Sequence, residues 1–145
     1  MPHLSGAEKM ETKKLYKLAE SGGIRVDFCS LPHTRAFCIN LSGKKFIAVD
    51  KSVAAESSEE RVILAHELGH LKTDALYSPD APEIYRKRFE RKADGWAINR
   101  LIPLSSLRSA IKNGNESVSA LADYFSVTEE FMQKAIKYYT EKSSS

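Results

Sequence analysis

The chain is short of several things, and each scarcity narrows what it can be. It has two cysteines, Cys29 and Cys38, among 145 residues. That is too few for a disulfide framework, and no secretory leader precedes them, so reduced thiols are expected. No apolar run approaches the ~18 residues of a membrane span, and no apolar segment follows Met1-Pro2-His3. A cytoplasmic location and no membrane partner are the expectations. Net charge is only +3, without a long basic block, so a mixed solvated surface is expected and direct nucleic-acid binding is not. What remains is an ordinary globular composition, 42% hydrophobic and 28% charged. At this length the chain is expected to form one domain, 1–145, with its own core.

Histidine is scarce too, with four in the chain, and two of them stand together in His66-Glu67-Leu68-Gly69-His70. Residues four apart lie on one face of a helix, one turn above each other, so both imidazoles can point at a single metal ion. Glu67 follows the first histidine by about 100° around the helix axis. Its carboxylate is placed beside the metal, where it can take a proton from water. This H-E-x-x-H spacing is that of zinc-dependent hydrolases.

The rest of the chain reads as α+β. A helix is predicted over 7–20, with Met10, Leu15, Leu18 and Ala19 apolar, stopped by Gly22-Gly23. Three strand-like runs follow: Ile24 to Cys29, Arg35 to Leu41 and Lys45 to Val49. The first two flank a turn at Pro32, and the short loop at Ser42-Gly43-Lys44 makes the second and third the better hairpin pair. Ser57-Ser58-Glu59-Glu60 has capping-box form and starts the helix that carries the histidines. After a loop at 74–80, a second long helix runs from Asp80-Ala81-Pro82-Glu83 to about Arg100, before Pro103. Shorter helices are predicted at Leu104 to Lys112, 117–125 and 128–139, with a frayed serine tail at 141–145. Residues 1–103 are the expected catalytic core, and 104–140 a C-terminal helical subdomain.

Two histidines need a third protein ligand. Asp74, Asp80, Glu83, Glu90, Asp94, His33 and His3 are the candidates. Glu90, Asp94, Ala97 and Leu101 form an i, i+4, i+7, i+11 stripe able to pack on the histidine helix. That favours Glu90 as the ligand. Asp94, one turn on, could accept the second ring N–H of a ligating histidine.

The step from His70 to Glu90 and Asp94 resembles the gluzincin arrangement of two histidines and a glutamate. More specifically, Phe89-Glu90-Arg91-Lys92-Ala93-Asp94-Gly95-Trp96-Ala97, leading into Leu101-Ile102-Pro103, resembles the ImmA/IrrE family of small metallopeptidases. Leu64-Ala65 and the strands at Ile24 to Cys29 and Phe46 to Asp50 extend the likeness. Lys92 stands where that family often has a second acid, and Ile102 replaces a usual methionine. The resemblance implies a zincin-like domain that holds Zn2+ through His66, His70 and Glu90, with Glu67 as the general base. It also implies a protein substrate: a helix-turn-helix repressor of a prophage or mobile element, cleaved or otherwise inactivated. The alternatives are a zinc-containing anti-repressor that acts without proteolysis, or a toxin–antitoxin component.

Three finer expectations complete the reading. The oxyanion-stabilising donor is left open among Tyr77, Tyr85, His33 and nearby arginines. Substrate is expected to add a strand to an exposed sheet edge, with Lys45 to Val49 as that edge. Gly69, costly in a helix interior, is expected to let another backbone approach. Around Ser126-Val127 the sequence resembles the start of a helix-turn-helix. Its second helix offers only Lys134 and Lys137 as basic residues, and packing against the domain is the preferred reading.

Overall fold

The structure is a computed structural model that describes residues 11–144. The start of the predicted first helix, Met10 included, lies outside the described residues, as does His3. What is described of that helix is α1, Thr12–Ser21, which buries Leu15 and Ala19, an i, i+4 pair. Gly23 follows at φ 71, a turn conformation that a side chain would disfavour.

Three strands form one sheet: β1 (Ile24–Cys29), β2 (Ala36–Leu41) and β3 (Lys44–Asp50), in the order β1-β3-β2. β2 and β3 make the expected antiparallel hairpin. Ser42 and Gly43 both take positive φ, 53 and 90, and the Gly43 N–H donates to Asn40 Oδ1 at 2.9 Å. Two central residues at positive φ match the right-handed twist of the strands they join. β1 does not pair with β2 across Pro32. It runs parallel to β3 on the other side, Val26 opposite Ile47. β3 is therefore the central strand, which overturns its expected role as the exposed edge. The edge nearest the histidine helix is β2. Cys38 stands opposite Ile47, whereas Cys29 stands opposite Asp50 three residues on, so the thiols lie on opposite faces and both are free.

Asp50 closes the open end of the sheet. Its carboxylate accepts from the backbone N–H of Leu31 at 2.8 Å and of Ser52 at 3.1 Å, and from the Ser52 hydroxyl, with Arg35 3.6 Å away. These bonds, the Ser52 hydroxyl first, hold its pKa down to about 2. A depressed carboxylate stabilises the fold above its ordinary pKa near ~4, and that contribution is lost as pH falls toward the folded value. Asp50→Asn is therefore expected to flatten the loss of stability between about pH 4 and pH 2 in acid titrations followed by circular dichroism. An unchanged acid limb would remove Asp50 from that role.

Helix α2, Ser58–Lys72, begins at the predicted cap: the Ser57 side chain accepts from the Glu60 N–H at 3.0 Å. The Glu60 carboxylate reaches back to the N–H of Glu56, one residue beyond the Ser57 N–H of a regular capping box. Nine of its residues are buried, including Leu64, Ala65, Leu68 and Leu71. α3, Glu83–Leu101, buries Ala93, Gly95, Ala97, Ile98 and Leu101. α2 and α3 meet where neither has bulk. A Cβ on Gly69 would lie 2.4 Å from the carbonyl oxygen of Ala93, which is the backbone approach expected of that glycine.

Pro103 starts α4, Leu104–Lys112; α5 is Val118–Phe125 and α6 Glu129–Ser144. Ser126, at φ 56, turns the chain between α5 and α6. The predicted frayed tail is instead helical as far as Ser144, because α6 continues past Tyr139. Phe125, Val127, Phe131, Met132 and Ala135 join Leu15, Ile47, Leu64 and Ile98 in one hydrophobic cluster. The architecture is α+β. Among the described residues, no helix is long and apolar enough to cross a membrane.

Candidate metal centre

The two histidines extend from the last turns of α2 toward α3. His66 Nε2 and His70 Nε2 lie 3.1 Å apart, and each is 3.1 Å from an oxygen of the Glu90 carboxylate. The other ring nitrogens are occupied. His66 Nδ1 lies 2.9 Å from Asp94 Oδ1, and His70 Nδ1 lies 2.6 Å from the carbonyl oxygen of Ala75. An imidazole that donates from Nδ1 to such an acceptor presents a lone pair at Nε2. Two nitrogen lone pairs and a carboxylate then converge at contact distance, an arrangement that repels itself unless a cation lies between.

Electrostatics records the same demand. Burial lowers the pKa of His66, but Asp94 and then Glu90 outweigh it and raise it to about 10. His70 is likewise raised against burial, chiefly by Glu90 and the Ala75 carbonyl. Glu90 is held well below the carboxylate range by its bonds to His66 and His70. These three residues form a cluster whose ligand atoms all lie within 4.8 Å of one another. Two imidazoles and a carboxylate are also a donor set that suits zinc.

Each contact has a local cause. Asp74 takes φ 54 just after the α2 cap at Thr73, and the Ala75 N–H bonds back to the His70 carbonyl at 2.9 Å. The helix thus ends on a left-handed residue that aims the Ala75 oxygen at the His70 ring. Asp94 is pinned from its far side by Lys134 Nζ of α6, 3.3 Å from Oδ2. Lys134 was readable in sequence only as one of two weakly placed cations.

Of the remaining candidates, Asp74 ends the helix, Asp80 lies in a loop where its backbone N–H donates to the Ser78 hydroxyl, and Glu83 pairs with Lys87. His33 is exposed on the loop between β1 and β2. None of them joins the cluster. Tyr85 is exposed, with Arg88 over its ring. Tyr77 is the oxyanion candidate bonded to the centre: its hydroxyl donates to Glu90 Oε2 at 2.6 Å, a bond that pushes its pKa up to about 12.

Buried Glu67 does not belong to the cluster of three. It lines a cleft of about 370 Å³ with His66, His70, Tyr77 and Glu90, roofed by Ala36, Phe37 and Cys38 of β2. The edge strand, the histidine helix and the glutamate helix therefore bound one cavity. The family model for the IrrE N-terminal-like domain of the M78 peptidases matches residues 19–137. The chain belongs to this family. No curated protein matches it at a significant level.

In this M78 domain one residue of the cleft, Cys38, carried no site signal in the sequence beyond an expected reduced thiol. Burial pushes its thiol pKa up, and the neighbouring Glu67 and Glu90 carboxylates push it further. Cys38 is thus a neutral thiol against Glu67, and only its place on the core-facing side of β2 could have signalled it.

Proposed function

We propose that this M78 domain is a zinc-dependent endopeptidase whose substrate is a helix-turn-helix repressor of a prophage or mobile element. The observation that carries the reading is the convergence of His66 Nε2, His70 Nε2 and Glu90 in a cleft that also holds Glu67. His66, His70 and Glu90 would hold the ion, which when bound supplies a Lewis acid for the scissile carbonyl and acidifies a water. Glu67 takes the water proton and returns it to the leaving amine. Asp94 fixes the tautomer and ring angle of His66, as the Ala75 carbonyl does for His70. Asp94→Ala is expected to weaken zinc binding by about 10–100-fold, measured by competition with a chelator. Unchanged affinity would exclude the orienting role.

Tyr77 is the donor best placed to stabilise the oxyanion, since its hydroxyl already reaches the ligand shell. Tyr77→Phe is expected to lower kcat by about 10²–10³-fold with little change in KM. A change confined to KM would make it a substrate-binding residue.

The substrate adds to β2. That strand pairs only with β3 among the described residues, and its Ala36 to Cys38 segment roofs the cleft. A polypeptide laid along its open edge presents a peptide bond to the centre. The repressor itself is supported by the family resemblance. Incubating zinc-loaded protein with a helix-turn-helix repressor from the same mobile element tests the whole reading by mass spectrometry. Discrete fragments that vanish on chelation are expected. Derepression with an intact repressor would replace the peptidase by a binding protein.

A further inference from the structure

A second cleft, of about 710 Å³, opens at the amino end of α2, between that end and α1. Arg61 forms part of its wall and is only 3% exposed. Its Nε and Nη2 atoms have no hydrogen-bond partner among the described residues. These are the two nitrogens whose N–H bonds run parallel, the edge of a guanidinium that holds a two-oxygen anion side-on. Arg35 shows the same edge in use, with Nε and Nη2 at 3.0 and 2.8 Å from the two oxygens of Glu59.

No carboxylate among the described residues does this for Arg61. Glu60 is committed elsewhere, accepting from the Tyr16 hydroxyl at 2.7 Å and from the Glu56 N–H at 2.9 Å. Glu11 acts on Arg61 only through its field, and burial has brought the guanidinium pKa down to about 10. A buried cation with unmade hydrogen bonds is expensive, so a group that completes them is bound in proportion. The positive end of the α2 dipole favours an anion at the same place. Glu11 and Glu56, exposed beside Lys13 along the cleft, disfavour a ligand that is purely anionic.

We propose that this cleft binds a free amino acid or a similar zwitterion, its carboxylate held side-on by Arg61 and its ammonium group facing Glu11 and Glu56. Both guanidinium nitrogens are covered, so the ligand reaches them through a local opening of the cleft wall. The site stands one and a half turns ahead of His66 on the same helix, and the proposal does not rest on the peptidase reading.

The test follows the Arg61 Nε–H resonance of the full-length protein by NMR during titration with L-leucine and, separately, with L-leucinamide, which lacks the carboxylate. A saturable shift with leucine and none with the amide is expected. Arg61→Lys, which keeps the charge and removes the fork, is expected to weaken leucine binding about tenfold or more. Absence of a shift with leucine, or equal shifts with both probes, would overturn the proposal. The resonance is read on the wild-type protein, so the result stands even if the variant folds poorly.

Discussion

Glu67→Gln is expected to keep its zinc and lose its peptidase activity, by about 10²–10⁴-fold from the general-base term alone. The two effects separate because Glu67 is buried in the same cleft as the histidines yet is not one of the three clustered residues. Glutamine has nearly the same volume, so the packing against β2 survives. It cannot accept a proton, so water in the cleft keeps its place and loses its base. The thiol of Cys38 supplies an internal check: it is pushed up first by burial and then by the Glu67 charge, so its pKa should fall in the variant while burial still holds it above the ordinary range. Zinc content by atomic absorption and cleavage by mass spectrometry read the two halves. Substantial residual cleavage would move the base to another group, and lost zinc would place Glu67 in the ligand shell.

Gly69→Ala is expected to destabilise the protein by about 2 kcal/mol or more, although alanine is the better helix former by ~1 kcal/mol. The added methyl would meet the Ala93 carbonyl oxygen at 2.4 Å, with the carbonyl carbon and Cα of Ala93 both at 3.1 Å. All three are backbone atoms, and no rotamer change moves them. The helices must part, and with them His70 on α2 and Glu90 on α3, so zinc affinity should fall alongside stability. Gly95→Ala is the control, because its nearest neighbour is the Tyr138 hydroxyl at 3.0 Å, the far end of a side chain that can turn. Urea melts of both variants, with and without zinc, make the comparison. A Gly69→Ala protein as stable as the parent would mean that the two helices have slack at their crossing.

Local periodicity made much of this legible in the sequence. The i, i+4 spacing of His66 and His70, and of Glu90 and Asp94, is a property of one helix at a time, and so is the cap at Ser57. Contacts made between elements were not legible. Whether β1 joins β2 or β3 depends on which side of β3 is open, and a turn residue such as Pro32 says nothing about that. The acceptor for His70 is a backbone oxygen, which every residue possesses, so no residue type marks it. The approach of Lys134 to Asp94 spans 40 positions, and Cys38 reaches Glu67 from β2, whereas the sequence pointed to Lys45 to Val49 as the edge beside the site. Gly69 was the exception, because its cost in a helix interior advertised a contact before its partner was known.

Lys134 also bears on how far the chain can be trimmed. The motifs that carry the resemblance in the sequence end at Pro103, where a minimal fragment would naturally be cut, although the family model runs on to residue 137. Yet the counter-charge for Asp94 comes from α6, and the same helix lays Phe131, Met132 and Ala135 into the shared core. A fragment ending at 103 would carry His66, Glu67, His70, Glu90 and Asp94 and lack the brace behind His66. The working unit is therefore longer than its motif, and modularity read from the motif alone would be misleading.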